Sequence, residues 1–297
     1  MQNVLLFLYT ETPLHAGVGS SVSVVDLPIQ RERTTQYPIV QGTGVKGSLR
    51  SHCASNAPQT EVEAVFGPEN ERDASKYAGA IAVGDARIVL FPVRSLKGVF
   101  VYVTSQHALA RLARDLSAAN AAAGVPSISF NLTGSGEALV SDTLVLVDNQ
   151  VVLEEYSFAA KHNPSVAAWA TWLADNALPQ DAAYEYWRKH LKSYLVVLPE
   201  EDFRDFVVNS TQIETHVKLE QAKKTVKDGA LWTTESLPPD SLLVSSVVVR
   251  ATRGGQIADA QQVRDWLTQT VPARLQLGGD ETTGQGIVAA QWIGGVE

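Results

Sequence analysis

Residues 37–53 read YPIVQGTGVKGSLRSHC and place Gly42, Gly44 and Gly47 in the GxGxxG order of a dinucleotide-binding loop. In a Rossmann unit those glycines allow a tight turn, close approach of a pyrophosphate and tight helix–strand packing, and an acid about 20 residues on holds the ribose. Glu61 and Glu63 have nearly that spacing, but they sit in TEVEAVF (60–66), which does not read as the end of a buried parallel strand. The glycines also follow a long irregular stretch instead of opening a βαβ unit at the first strand. A phosphate-binding P-loop needs Gly-Lys-Ser/Thr, and this chain has Lys46-Gly47-Ser48. Two readings stay open for the stretch itself. Either the N–H groups of a helix start and Lys46 form an anion site, or the glycines only make a turn. A second glycine cluster, LQLGGDETTGQGIV (275–288), lies near the other end.

The 297 residues suffice for a sizeable core, and 45% hydrophobic with 19% charged residues is the balance of a globular chain. No apolar run approaches the roughly 20 residues of a membrane-spanning helix. MQNVLLFLYTETP (1–13) lacks the basic leader of a signal peptide and reads as a strand. The single Cys53 leaves no intrachain disulfide and no cysteine cage for zinc, so a cytoplasmic location is expected and Cys53 reads as buried filling. A net charge of −8 argues against indiscriminate binding of polyphosphates. The charge is segregated, however. Residues 1–60 carry Arg31, Arg33, Lys46 and Arg50 against three acids, and residues 61–85 carry six acids against two bases.

NVLLFLY (3–9) is a near-continuous apolar run, as in a strand covered on both faces. The following connection, to Gly44, is rich in Gly, Ser, Thr and Pro, and connections of that length tend to be functional. VKGSLRSHCASNA (45–57) reads as a short helix, GAIAVGDARIVLFP (79–92) and VFVYVTS (99–105) as strands, and HALARLARDLSAANAAAG (107–124) as an amphipathic helix with Leu109, Leu112 and Leu116 inward. DTLVLVDNQVVLEEY (142–156) reads as a hairpin turning at Asp148 and Asn149. Residues 157–206 read as helical, with Tyr184, Trp187, Leu191 and Tyr194 on a core face, and 207–240, with four lysines, as a protruding β-ribbon or loop. A strand (241–251), a helix capped by Asp259 and a last strand complete the order. The expected fold class is α+β, a ferredoxin-like sheet with insertions in one domain spanning 1–297.

Three blocks carry a resemblance: Asp-Leu-Pro-Ile-Gln-Arg-Glu at 26–32, Gly-x-x-x-Lys-Gly-x-Leu-Arg at 42–50 and Gly-Gly-x-Glu-Thr-x-Gly-x-Gly at 278–286. Together they make the chain similar to the RAMP superfamily of CRISPR effector proteins, and VVDLPIQRER (24–33) narrows this to the repeated backbone RNase subunit of type III-B (Cmr) complexes. The resemblance implies an RRM-like palm, a helical insertion at 157–206 and a β-hairpin thumb at 207–240. It further implies copies stacked along a guide RNA with other Cmr subunits, and complementary single-stranded target RNA cut at regular intervals. A head-to-tail interface that repeats one site along a helical axis explains such regularity. No membrane partner is expected.

The resemblance assigns guide-backbone contacts to Lys46, Arg50, Gly42, Thr43, Gly44, Gly47 and Ser48, and to Gly278, Gly279, Thr282, Gly284 and Gly286. Charge and N–H donors aimed at phosphates suit a protein whose sequence reading is done by base pairing. Arg31 and Arg33, two apart, would project to one side of an extended segment, toward phosphates, or else pair with Glu32 or a neighbouring subunit. Asp26 is the implied catalytic carboxylate, as a base or as ligand of a divalent metal, Mg2+ or Mn2+. Without the resemblance, an Asp between VV and LP reads as a turn or cap. His15 is a candidate proton shuttle or phosphate ligand. Glu235 is a candidate assisting acid, and Ser236 stands where the resemblance leads one to expect tyrosine. Two other readings remain: a scaffold subunit without nuclease activity, and a small-molecule anion-binding enzyme.

Overall fold

The computed structural model describes residues 1–297 except 23, 70–77, 131, 133, 221–225, 253–256, 258 and 295–297. The acidic stretch TEVEAVFGPENERDASKY (60–77), whose sequence reads as a helix fragment plus loop, begins in a helix, and its residues 70–77 lie outside the described ones. In chain order the elements are β1 (Gln2–Thr10), β2 (Ile39–Val40), α1 (Gly42–Ala54), α2 (Gln59–Phe66), β3 (Ile81–Val83), β4 (Ala86–Arg94), β5 (Phe100–Ser105) and α3 (Gln106–Ala118). Then come β6 (Glu137–Val140), β7 (Gln150–Leu153), β8 (Tyr156–His162), α4 (Pro164–Asn176), α5 (Glu185–Ser193), β9 (Leu195–Leu198) and α6 (Glu200–Asn209). The last are β10 (Gln212–Leu219), β11 (Val226–Ser236), β12 (Leu242–Val249), α7 (Ala260–Thr270), β13 (Arg274–Gln276) and β14 (Ile287–Gly294).

Four strands lie in the order β14-β1-β12-β4 with every neighbour antiparallel. With α1 between β1 and β4 and α7 between β12 and β14, this is the split β-α-β-β-α-β arrangement of a ferredoxin-like palm. The apolar run of β1 has the expected cause. Val4, Leu6 and Leu8 enter one buried cluster, and Leu5, Phe7 and Tyr9 enter a second on the opposite face. On that second face α3 packs Leu109, Leu112 and Leu116, all at most 1% exposed, and Ser105 caps its first turn. Each such leucine contributes about 1.5–3 kcal/mol. Asp259 caps α7 through the Gln262 N–H at 2.8 Å, as the sequence indicates.

Beyond β4, away from β12, the sheet continues as β5-β9-β6-β8-β7, all inserted in sequence between β4 and β12. The helical reading of 157–206 is therefore corrected. It holds for α4, α5 and the start of α6, but β8 and β9 are sheet strands, β9 lying parallel to β5. The short apolar run LVVL (195–198) is fully buried, and periodicity alone does not separate such a run from a buried helix turn. Asp148 and Asn149 do form a tight turn, with positive φ at both and paired hydrogen bonds between Val147 and Gln150. The arm before it is a 3-10 turn (Thr143–Val145) initiated by the Asp142 carboxylate on the Leu144 N–H, and β7 pairs with β8 instead. Segment 207–240 contains a two-stranded ribbon, β10 against β11. Among the described residues no helix is long and apolar enough to cross a membrane.

Candidate nucleic-acid interface

The connection after β1 folds back on itself and docks on one edge of β11. Gln30 donates its backbone N–H to the Ala16 carbonyl (2.8 Å), Gly17 bridges Ile29, and Val18 donates to the Pro28 carbonyl (3.2 Å). Leu14 pairs antiparallel with Leu237, and Leu27 pairs parallel with Thr234. Every backbone group that forms these bridges is satisfied without a strand of its own, which is why no strand period marks the segment.

Asp26 stands exposed at the end of this loop, and both donors of Thr233 hold its Oδ2. The backbone N–H lies at 2.8 Å and the hydroxyl at 2.9 Å, while the Asp26 N–H donates back to Thr233 Oγ1 at 3.0 Å. The Thr233 N–H first, then its hydroxyl, hold the carboxyl below the usual carboxylate range and outweigh the small opposing effect of burial. Oδ1 has no protein partner among the described residues. His15 fastens to the same strand two residues along. Its Nδ1 donates to the Glu235 carbonyl at 2.6 Å, so the two attachment points are about 7 Å apart on β11. The ring also lies against the C-terminal glycine loop. Gly279 donates its N–H to the His15 carbonyl (2.9 Å), and a Cβ on Gly278 would come within 2.4 Å of that oxygen.

Glu235, the candidate assisting acid, is 5% exposed and its carboxylate is occupied by protein donors. Oε1 accepts from Arg31 Nη2 (2.5 Å) and the Thr211 hydroxyl (2.8 Å), and Oε2 accepts from the Ile29 N–H (3.0 Å). Arg31 is thereby turned inward, where Nη1 also donates to the carbonyls of Gln36 (3.0 Å) and Val207 (2.9 Å). The expectation that Arg31 and Arg33 share one side fails because 33–35 form a turn, not an extended segment. Arg33 is left exposed, with no ion pair among the described residues. Glu32 pairs with neither arginine. It takes both guanidinium nitrogens of Arg111, at 2.8 and 2.7 Å.

The first glycine cluster lies within α1, which begins at Gly42, three residues earlier than the sequence indicates. The Asp85 carboxylate already occupies the Gly42 N–H (2.8 Å), and Gly44 and Val45 donate to the Gln41 carbonyl. The helix start therefore does not offer the expected cradle of free N–H groups, and a pyrophosphate would meet a like charge there. Gly42 is required for another reason, since a Cβ would lie 2.3 Å from the Val83 carbonyl oxygen. Thr43, Gly44 and Gly47 face outward. Ser48 hydrogen-bonds the Gln276 carbonyl, and His52 Nε2 accepts the Gln276 N–H (3.0 Å), joining α1 to the strand before the C-terminal loop. Arg50 is committed to the Gly67 carbonyl (3.0 Å). Lys46 is half-buried with no carboxylate partner among the described residues, and burial first, then the Arg50 charge, pull its pKa down. Two adjacent cations without an acid favour an anion.

In the loop itself, Gly286 has φ +75° and donates to the Pro13 carbonyl (2.7 Å), while Thr282 and Gly284 are exposed. Two features escape sequence reading. Thr233 is one. The other is a stack of His216 on Trp232, ring centroids 5.4 Å apart at 17°, beside a groove of about 520 Å³ between the ribbon and the C-terminal loop. Both depend on ribbon register, which only cross-strand pairing supplies. Among the described residues no three His, Cys, Asp or Glu side chains converge on a metal position. Among the described residues, a magnesium-like ion here would find a single protein ligand, the open oxygen of Asp26.

The chain that folds into this palm matches the RAMP superfamily over residues 7–289 and belongs to that superfamily. Within it the chain is a homologue of Cmr4, a backbone subunit of the type III-B CRISPR Cmr effector complex. It is 35% identical over 291 residues to the CRISPR system Cmr endoribonuclease Cmr4 of Pyrococcus furiosus, covering 97% of this chain and 95% of that one. To the CRISPR system CMR subunit Cmr4 of Saccharolobus solfataricus it is 28% identical over 305 residues, with 97% and 95% covered. The fold matches the crystal structure of oligomeric Cmr4 from P. furiosus with a TM-score of 0.74 at 29% identity over 100% of both chains. At 21% identity it also shares the fold of a chain in type III-B Cmr-beta bound to cognate target RNA, TM-score 0.73, covering 98% of this chain and 97% of that one.

Proposed function

We propose that this chain binds guide RNA as a repeated backbone subunit of a Cmr-type complex in the cytoplasm, and cuts the paired target RNA once per subunit at Asp26. The observation that carries this reading is the exposed, ionised Asp26 carboxylate, fixed on the ribbon edge with one oxygen open. A relative 35% identical is named an endoribonuclease, and a structural relative is oligomeric. In cleavage through the ribose, the 2′-oxygen bonds to phosphorus as the phosphorus–O5′ bond breaks. The 2′-OH proton departs and the 5′-oxygen gains one, leaving a 2′,3′-cyclic phosphate and a 5′-hydroxyl. Asp26 orients the 2′-OH through Oδ1, and a carboxyl held this acidic is a weak proton acceptor by itself. Asp26 would also hold a divalent magnesium or manganese, which when bound neutralises the phosphate and makes the hydroxyl more acidic.

Assembled complexes are incubated with guide, labelled complementary RNA and Mg2+ or Mn2+. Evenly spaced products ending in 2′,3′-cyclic phosphate are expected. Tight binding with intact RNA would establish the scaffold reading, which Ser236 and the commitment of Glu235 to Arg31 favour. For guide binding, Lys46→Ala should weaken affinity and lower the magnitude of the log K against log salt slope by about 0.7, one phosphate on a single strand. An unchanged slope would remove Lys46 from the backbone contacts.

A further inference from the structure

We infer that Thr233 is the positioning residue for the cut, holding Asp26 Oδ2 so that Oδ1 alone faces the RNA. This rests on the role of Asp26 proposed above. An exposed aspartate ordinarily samples several rotamers, and a carboxylate that must orient a 2′-OH in line with phosphorus loses rate with each unproductive one. Here three hydrogen bonds close a circuit between two residues 207 apart in sequence. The Thr233 N–H and hydroxyl both donate to Oδ2, and Thr233 Oγ1 accepts the Asp26 N–H. Because the hydroxyl accepts from the Asp26 backbone while donating to its side chain, it ties χ1 of Asp26 to the backbone of the same residue. The ladder beyond locks the register. Leu27 donates its N–H to the Thr233 carbonyl (3.0 Å) and accepts the Glu235 N–H (3.0 Å). A slip of one residue in β11 that presented Trp232 to Asp26 would remove the hydroxyl and lose the circuit.

The loop thus supplies the carboxylate and the ribbon supplies its orientation, so the site exists only where the ribbon root is docked. Thr233 touches neither substrate nor scissile bond in this role. Its signature is a rate defect without a binding defect.

The test uses assembled complexes with guide and labelled complementary RNA, measuring single-turnover cleavage and target affinity separately for Thr233→Val, Thr233→Ser and Asp26→Asn. Valine keeps the shape and the backbone N–H but removes the hydroxyl. With it go the bond to Oδ2 and the acceptor of the Asp26 N–H. The variant should cut about 10- to 100-fold more slowly, the loss expected for the bond to the charged carboxylate, with target affinity within about twofold of wild type. Serine keeps the hydroxyl and should restore most of the rate. Wild-type cleavage by Thr233→Val, an equal defect in Thr233→Ser, or a fall in affinity matching the fall in rate would each overturn the inference. If Thr233→Val does not assemble, Thr233→Ala with the same readouts decides. Full cleavage by Asp26→Asn would instead sink the underlying reading of Asp26, and so separates the two failures.

Discussion

Asp26→Asn is expected to reduce target cleavage in the assembled complex by about 100- to 10,000-fold, the range of a positioned acid–base group, with guide and target affinity unchanged. The substitution is nearly isosteric. The amide oxygen of asparagine still accepts from the Thr233 N–H and hydroxyl, so the loop stays docked on β11. What disappears is the negative charge on the open oxygen, which in the proposed role orients the 2′-OH and would bind a cation. Binding is expected to persist because the proposed guide contact, Lys46 on α1, carries a charge independent of Asp26. Thermal denaturation alongside the cleavage assay separates chemistry from folding. Undiminished product formation would take Asp26 out of the mechanism.

The second large effect concerns stability. Arg31→Ala and Glu235→Ala should each destabilise the fold by about 3–5 kcal/mol, because each strands a partner in a buried pair. The side chains of Arg31 and Glu235 are only 16% and 7% exposed. Deleting Arg31 leaves a buried carboxylate facing only the Thr211 hydroxyl and the Ile29 N–H, and deleting Glu235 leaves a guanidinium with two carbonyls. At about 2–4 °C per kcal/mol for chains somewhat shorter than this one, the melting temperature falls by roughly 6–20 °C. The joint replacement Arg31→Met with Glu235→Leu should recover much of that loss, since the desolvation of both charges is then avoided. Glu235→Gln discriminates the structural from the catalytic role. It should lower the melting temperature yet still cut RNA well below it, whereas a stable, inactive Glu235→Gln protein would restore Glu235 to the chemistry.

These two expectations mark different depths of legibility. Asp26 stands out in sequence through its block, while its attachment to Thr233 does not. The partnership of Arg31 with Glu235 is likewise invisible in sequence, where phosphate contact or pairing with Glu32 or a neighbouring subunit is expected for Arg31 and an assisting acid for Glu235. Their separation of 204 positions is closed only by the docking of the connection on β11. Arg33 failed to share a side with Arg31 for a local reason, since the Gln36 N–H closes a turn on the Glu32 carbonyl that a two-residue spacing does not reveal.

Local pattern and composition determined the rest that could be read without a structure. The two-faced apolar run of β1, the leucine stripe of α3, the Asp259 cap and the ribbon-like polarity of the 207–240 segment all arise from interactions within a few residues, where spacing is geometry. Tertiary structure decided what depends on register and approach: that α1 starts at Gly42 with Asp85 on its first N–H, that LVVL (195–198) is a sheet strand, and that Thr233 meets Asp26 while Trp232 stacks on His216. A strand's side chains exchange faces with every single-residue shift, so such partners are set by the pairing of distant segments and by nothing in either segment alone.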